Sequence, residues 1–561
     1  KRSGICVPLF SLRSSDSCGI GQYDDIRHLV DFCKRVGATV IQFPLPLFDT
    51  NTAVIGELMN LSFSDPKLNS LINNADENPF NIVSAFALHP IYISLFDIVP
   101  NLPEEITDDI NRTKWELEKK AVVDYKAVLT YKMRILWRIY KEVILADKMK
   151  SDPKLKNFDF SFFYQSKIGA LLLDDLFDKF VEKESFWLFP YSLFCFFREK
   201  FKDADFRNWP KEVSEAFENC DSFSEKVKNL SKLADEYSSK SKGQFQFDLT
   251  FFLWIQYVCN SQFSKAASYA KQSGIAFKGV LPLNVSFCSA DCWSFPSVFR
   301  HSKDPQKKWN YQTVSVPDEP NEAATPMRPI ACTDHFTSCS VFPSFDWSFL
   351  HQKPVQKKFD ENSEKPITAE DWWQQRMTRC CELYQALKID PALNVYRSWE
   401  VDSSKSVTSC LGHFYPCDPI SQIDLDARNL KDIERYTRPY IKRSHLVNYF
   451  GQAADSVGSR FFVSKEKDTL AFKDEFSSER KIYEAFRESQ EGGKEVIDGV
   501  KNGYLFETLM KLQDDVLLIE DDDHPGKFFL RANFFNQPLI TLSDSGSGIS
   551  QLQPSPSYSE L

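Results

Sequence analysis

Residues 24–43 constrain the fold more than any other stretch of this chain. Ile26, Leu29, Val30 and Cys33 recur at helical spacing across Asp24–Val36, a stripe that an amphipathic helix gathers onto one face. Gly37 stands where a helix stop needing a left-handed residue belongs. Thr39–Phe43 follows at once as a β-branched, apolar run of strand length, and Pro44 and Pro46 end it. An uninterrupted apolar strand of this kind is buried on both faces, as in a parallel sheet covered by helices. Ile5–Phe10 supplies a short apolar strand ahead of the helix. The opening therefore reads as strand, helix, strand.

The rest of the chain returns to that alternation after a long helical interruption. Leu129, Met133, Leu136, Ile139 and Val143 keep helical spacing, and Phe160–Glu182 and Tyr191–Phe201 extend the helical region. The polar stretch Lys232–Gly243 is expected to close it as a loop. Phe245–Gln272 then reads as a long helix, Gly274 as its stop, and Ile275–Leu281 as a strand. Arg300–Glu364 is polar and Pro-rich and is expected to be loop. Ala369–Leu387 reads as a helix running into a short strand, Lys388–Ile389, and further on Glu479–Gln490 reads as helix and Asp515–Ile519 as strand. The tail from Ser543 has a Ser, Gly and Pro composition that predicts disorder. The expected class is α/β, a partial TIM-type (β/α) barrel with a large helical insertion. In segments, 1–105 holds the first β/α units, 106–244 the insertion, and 245–400 the later barrel strands.

Composition removes several functions. A net charge of -10 gives no basic face for a phosphate backbone, so no nucleic-acid partner is expected. No apolar run approaches the length that spans a bilayer, and Lys1–Leu12 lacks the features of a secretory signal. Fourteen cysteines lie without regular spacing between Cys6 and Cys417. Cys288 with Cys292, and Cys380 with Cys381, find no neighbouring ligands that would complete a zinc set. Scattered thiols fit a reducing compartment, so a cytoplasmic location is expected, with no metal and no cofactor. The 49 Phe, 20 Tyr and 11 Trp suit sugar rings, but Phe is also ordinary core filler.

In a parallel barrel, chemistry sits just beyond the C-terminal ends of the strands. The candidates are Asp49 after the second strand, Asp291 and Trp293 after the third, and Asp390, Arg397 and Trp399 at the fourth. An acid, an arginine and aromatic rings at strand ends would form a sugar subsite. Asp390 precedes Pro391, a setting in which Asp commonly serves as a turn or cap residue, so spacing leaves both readings open.

Particular motifs go further. Gly4-Ile5-Cys6-Val7-Pro8-Leu9-Phe10-Ser11-Leu12-Arg13-Ser14, then Ser17-Cys18-Gly19-Ile20-Gly21, resembles the opening of the 4-α-glucanotransferases of glycoside hydrolase family 77. These are the amylomaltases or disproportionating enzymes. Ser84-Ala85-Phe86-Ala87-Leu88-His89-Pro90, Lys278 to Trp293, Phe342 to Trp347, Trp372-Trp373, Lys388 to Glu400, Gly412-His413-Phe414 and Arg438-Pro439-Tyr440-Ile441 match in order. The pattern is most similar to the eukaryotic cytosolic type 2 branch. That resemblance implies an α-1,4-glucan or maltodextrin partner and a retaining transfer between two carboxyl groups, with Asp390 in the nucleophile position. It also implies that 401–542 is an insertion like that of the type 2 branch.

The departures from the pattern remove polar groups. Lys388 replaces an arginine, Pro391 a histidine, Val280 an aspartate, Phe80 a tyrosine, Asn81 a serine and Phe48 an asparagine. The family's glycine-glutamate-aspartate-leucine-glycine and threonine-histidine-aspartate motifs, which carry the other two acids, do not occur. Ile519-Glu520-Asp521 shares two residues with the first, but Lys527 to Arg531 beside it resembles the type 2 insertion instead. The expectation is four strands of a barrel whose exposed edge calls for a protein partner or a covering helix, and an impaired or inactive transferase. The alternative is a non-catalytic glucan-binding or scaffolding relative.

Overall fold

The structure is a computed structural model and describes residues 3–50, 79–151, 174–218, 223–240, 249–301, 311–314, 341–347, 367–390, 398–406, 411–465, 468–490, 497 and 500–531. It divides into two compact units, one of Lys1–Phe299 with Phe345–Ala392 and one of Arg300–Ser344 with Leu393–Leu561. The chain thus changes unit near residues 300, 345 and 393.

The first unit is built on four strands, β1 (Gly4–Cys6), β2 (Val40–Gln42), β3 (Ala276–Pro282) and β4 (Ala386–Asp390). They lie in the order β1-β2-β3-β4 and all pairs are parallel. Sequential parallel strands joined through helices make this an α/β fold, ordered as successive strands of a (β/α) barrel wall are. Among the described residues the sheet is open at β1 and at β4.

Helix α1 (Asp25–Val36) buries Ile26, Leu29, Val30 and Cys33, and the three aliphatic side chains contribute roughly 1.5–3 kcal/mol of transfer free energy each. Gly37 ends it at φ 75°, a left-handed conformation that costs a side chain but not glycine. The β1 strand is shorter than its apolar run. It stops at Cys6, and Leu9–Ser11 forms a 3-10 turn, because Pro8 cannot donate to a continuing ladder.

The helical insertion contains Glu104–Glu118, Tyr125–Arg138, α2 (Ser185–Phe201) and Phe223–Lys240. Buried residues run all round α2, from Phe186 to Arg198, as expected of a helix apolar on every side. The expected loop at Lys232–Gly243 is corrected: residues through Lys240 are helical. Val227, Leu230 and Ala234 are buried while Lys232 and Glu236 are exposed, so the polarity read as loop is that of a helix with one solvated face. Residues 241–248 lie outside the described part. Helix α3 (Leu249–Gln272) follows, and the chain turns at Gly274, φ 72°. Helix α4 (Ala369–Leu383) ends before Ala386 and Leu387, which belong to β4 rather than to the helix.

The second unit is antiparallel. Val341–Pro343, Tyr311–Val314, Ser398–Asp402 and His413–Tyr415 form one sheet in that order. Two of these strands fall in the region 300–364 that polarity had marked as loop. Ile441–Lys442, Thr469–Phe472 and Phe462–Ser464 form a second sheet over a core that includes Leu446, Val457, Phe461, Ile482 and Leu505. A hairpin of Leu518–Glu520 and Lys527–Leu530 pairs with Ile420–Ser421. The helix expected at Glu479–Gln490 is present, and the strand expected at Asp515–Ile519 is observed at Leu518–Glu520. The tail from Ser543 lies outside the described residues.

Candidate functional site

The loops that leave the C-terminal ends of β2 and β3 are fixed by side chains from the surrounding helices. Beyond β2, Phe48 and Thr50 make single bridges to Leu88 and Ile82, bringing the Ser84–Pro90 motif against Asp49. Asp49 is 3% exposed. Its Oδ2 accepts the Tyr191 hydroxyl at 2.7 Å, and His89 Nδ1 stands 3.8 Å from its Oδ1. His89 Nε2 and Thr50 Oγ1 share a hydrogen bond at 3.0 Å. Burial lowers the His89 pKa and raises that of Tyr191 well above its ordinary value, so both are neutral near pH 7. From α3, Gln256 clamps Leu88 by accepting its N–H and donating to its carbonyl, each at 2.9 Å.

Helix α4 ties the two loops together. Thr368 and Asp371 form a capping box that starts it, and its buried face carries Trp372, Arg376 and Arg379. The Trp372 indole donates to Asp291 Oδ1 at 2.9 Å, while the Ala85 amide donates to Oδ2 at 2.8 Å. Asp291 is 1% exposed. Burial pushes its carboxyl up to about 6, and these two bonds pull against that rise. Arg376 donates to the carbonyls of Leu283, at 2.9 Å, and Pro282. Arg379 donates to Phe86 at 3.4 Å and to Asn260 at 3.1 Å.

Trp293 belongs to the packing. It is 2% exposed, donates its N–H to the Val213 carbonyl at 2.7 Å, and meets the Phe217 ring edge-on at 4.9 Å. No ring face is presented to solvent, so in this placement it is not a sugar platform. Asp390 is the last residue of β4, in register with Pro282 of β3, where the fold puts chemistry. Val280, at the aspartate position of the pattern, is 1% exposed within the same sheet. Arg397 lies outside the described residues. Trp399 falls in the second unit, 3% exposed and edge-on to Phe414 at 4.9 Å. Glu520 is an exposed residue of the antiparallel hairpin, not the end of a parallel strand.

The structure therefore gathers Asp49 and Asp291 beneath one helix-held loop layer and sets Asp390 at the adjoining strand end. The reading by spacing missed Tyr191, Gln256, Arg376 and Arg379. A signal was available for the arginines: they sit four and seven residues after Trp372, on one helical face, so a helix burying the tryptophan must bury them too.

Comparison with known proteins decides the family. The model described as 4-alpha-glucanotransferase, glycoside hydrolase family 77, matches residues 7–319. The chain belongs to glycoside hydrolase family 77. The 4-alpha-glucanotransferase DPE2 of Oryza sativa subsp. japonica is 28% identical over 535 residues, covering 95% of this chain and 46% of the rice protein. The 4-alpha-glucanotransferase of Chlamydia caviae is 26% identical over 437 residues, covering 78% of this chain and 62% of that one. This family 77 chain thus spans about half the length of the curated relatives it matches. Among solved structures, the amylomaltase from Streptococcus agalactiae in complex with acarbose aligns at a TM-score of 0.46 and 15% identity, covering 96% and 97% of the two chains. No helix of the described residues is long and apolar enough to cross a membrane.

Proposed function

We propose that this chain binds α-1,4-glucan or maltodextrin at the C-terminal ends of its parallel strands, with Asp390 in the nucleophile position, and that its 561 residues alone carry out glucan transfer poorly or not at all. Retaining transfer needs two carboxyl groups about 5.5 Å apart, one attacking and one protonating the leaving oxygen. The observation that carries the reading is the state of the other two acids at these strand ends. Asp49 and Asp291 are buried and already hold donors from Tyr191, Ala85 and Trp372. Neither is free to deliver a proton to a sugar oxygen, and general acid help is worth roughly 10²–10⁴ in rate. Lys388 supports the same reading, because a lysine beside the nucleophile lacks the planar fork with which arginine holds a carboxylate.

Two further expectations belong to this proposal. A protein partner covers the edge of β4, where Ala386, Lys388 and Ile389 are exposed. The protein works in a reducing compartment, the cytoplasm, where the ten described free thiols would persist.

The test uses maltotriose at high protein concentration and native electrophoresis through glycogen. The expected result is retarded migration, equal for the chain and for Asp390→Asn, with no glucose released. Glucose release that disappears in Asp390→Asn overturns the inactivity, and migration unaffected by glycogen overturns the binding.

A further inference from the structure

The second unit buries a cluster of ionisable groups that plays no part in the site above. Glu400, at the centre of Ser398–Asp402, is 0% exposed. Its Oε1 is bonded by Arg300 Nη1, and the Ser344 hydroxyl also bonds its carboxyl. His413 is its register partner on the next strand, with Nε2 3.6 Å from Oε1. The other face of the cluster is a ring stack. His413 lies parallel to Phe529 of the hairpin, centroids 3.7 Å apart and planes 7° from parallel.

We propose that Glu400, Arg300 and His413 form a proton-operated latch that sets how firmly the Leu518–Leu530 hairpin is seated on the four-stranded sheet. With a proton on Glu400, the carboxyl is neutral in its dry site and lies 3.6 Å from the imidazole Nε2, a buried nitrogen with no hydrogen bond of its own that the carboxyl can turn to meet as a donor. Arg300 keeps a partner in that state, since its guanidinium lies 4.1 Å from the centroid of the Tyr415 ring. When the proton leaves to solvent, a buried negative charge remains, and one cation on one oxygen offsets only part of the desolvation cost. The cheapest relief is water entering between sheet and hairpin, which separates His413 from Phe529.

The titration direction agrees. Burial raises the Glu400 carboxyl to about 7, against the pull of Arg300 and the Ser344 bond, with Asp521 and Asp402 adding to the rise. Burial lowers His413 to about 3, so the imidazole stays neutral. A raised acid in the closed arrangement means that closure is firmest below the ordinary carboxyl range, weakens as pH rises from about 4.5 to about 7, and changes no further above that. The other charged groups at this seam are Asp521, bonded to His524 at 3.0 Å, and the Lys405–Asp522 ion pair.

The experiment is amide hydrogen exchange of Phe528 and Phe529 in the full chain between pH 5.5 and 8.5, corrected for intrinsic exchange. Protection is expected to fall about thirtyfold between pH 5.5 and about 7 and to level off above, the part of a shift from 4.5 to about 7 that this range covers. Glu400→Gln should keep the protection high and flat. His413→Phe keeps the stack but removes the acceptor, and should move the midpoint to lower pH. His524→Gln should leave the transition in place. A flat profile in the unmodified chain, an unchanged transition in Glu400→Gln, an unmoved midpoint in His413→Phe, or a transition lost with His524 would each overturn the latch.

Discussion

Trp372 and Asp291 are joined by an indole-to-carboxylate hydrogen bond of 2.9 Å in a place closed to solvent. Asp291 ionises near 3.8 in an unfolded chain and at about 6 when folded, chiefly because it is buried. The folded state therefore binds more protons across that window, and stability falls by about 3 kcal/mol as pH rises from 4 to above 6. Trp372→Phe removes a donor that favours the ionised form. It should cost about 2 kcal/mol more at pH 8 than at pH 4.5, read by chemical denaturation. Equal losses at the two pH values would show that ring packing alone is at stake.

Gly279 and Tyr384 set a second limit. A Cβ at Gly279 would lie 2.5 Å from two carbons of the Tyr384 ring, and that ring is 3% exposed and cannot swing away. Gly279→Ala should cost about 1–3 kcal/mol through overpacking of β3. Tyr384→Leu in the same chain should recover part of the loss, and a purely additive pair would place the strain elsewhere.

Tyr191→Phe should also destabilise the first unit, by about 1–2 kcal/mol, because it leaves a buried oxygen of Asp49 without its donor. A double-mutant cycle with Asp49→Ala isolates the pair. Coupling of about 1–3 kcal/mol is expected, and zero coupling would mean that the two groups do not depend on each other.

How much of this was legible in the sequence follows from what each signal measures. The stripe of α1 and the β-branched run after Gly37 announced a helix and a parallel strand, because periodicity reports burial. Helix α1 buries its stripe, whereas in β2 only Ile41 is fully buried and in β1 Gly4 and Cys6 are exposed, so burial on both strand faces is partial. Polarity misled at Lys232–Lys240 and at residues 311–314 and 341–343. A polar helix face and a strand pairing far along the chain both look like loop when only local composition is read. The family motifs carried the resemblance without telling which residues hold the loops. Trp293 stands in a matching motif and is nonetheless core. Glu400 lies in another, and its burial depends on strands contributed by residues 311–314, 341–343 and 413–415, which no local pattern reveals.

Arg376 provides the strongest test of how β3 is held. Its guanidinium is 0% exposed and bonds the carbonyls of Pro282 and Leu283. Two effects compete when it is removed. Burying a cation is costly, so an apolar substitute of similar volume gains back part of that penalty. Against this, two carbonyls lose their donors, at about 1–3 kcal/mol each when no water reaches them. The pKa of Arg376 is lowered to about 10 by burial, which leaves it charged at neutral pH. The carbonyl term should nonetheless win, because both acceptors lie on buried residues and lose their donor together. Arg376→Met is expected to cost about 3 kcal/mol, and Arg376→Lys about half of that, because one ammonium can keep a single bond. Because Pro282 is paired in register with Asp390, the Met variant should also speed amide exchange at Ile389 more than at Phe277. A neutral or stabilising Arg376→Met, with exchange at Ile389 unchanged, would mean that the β3 and β4 ends are held by the sheet alone.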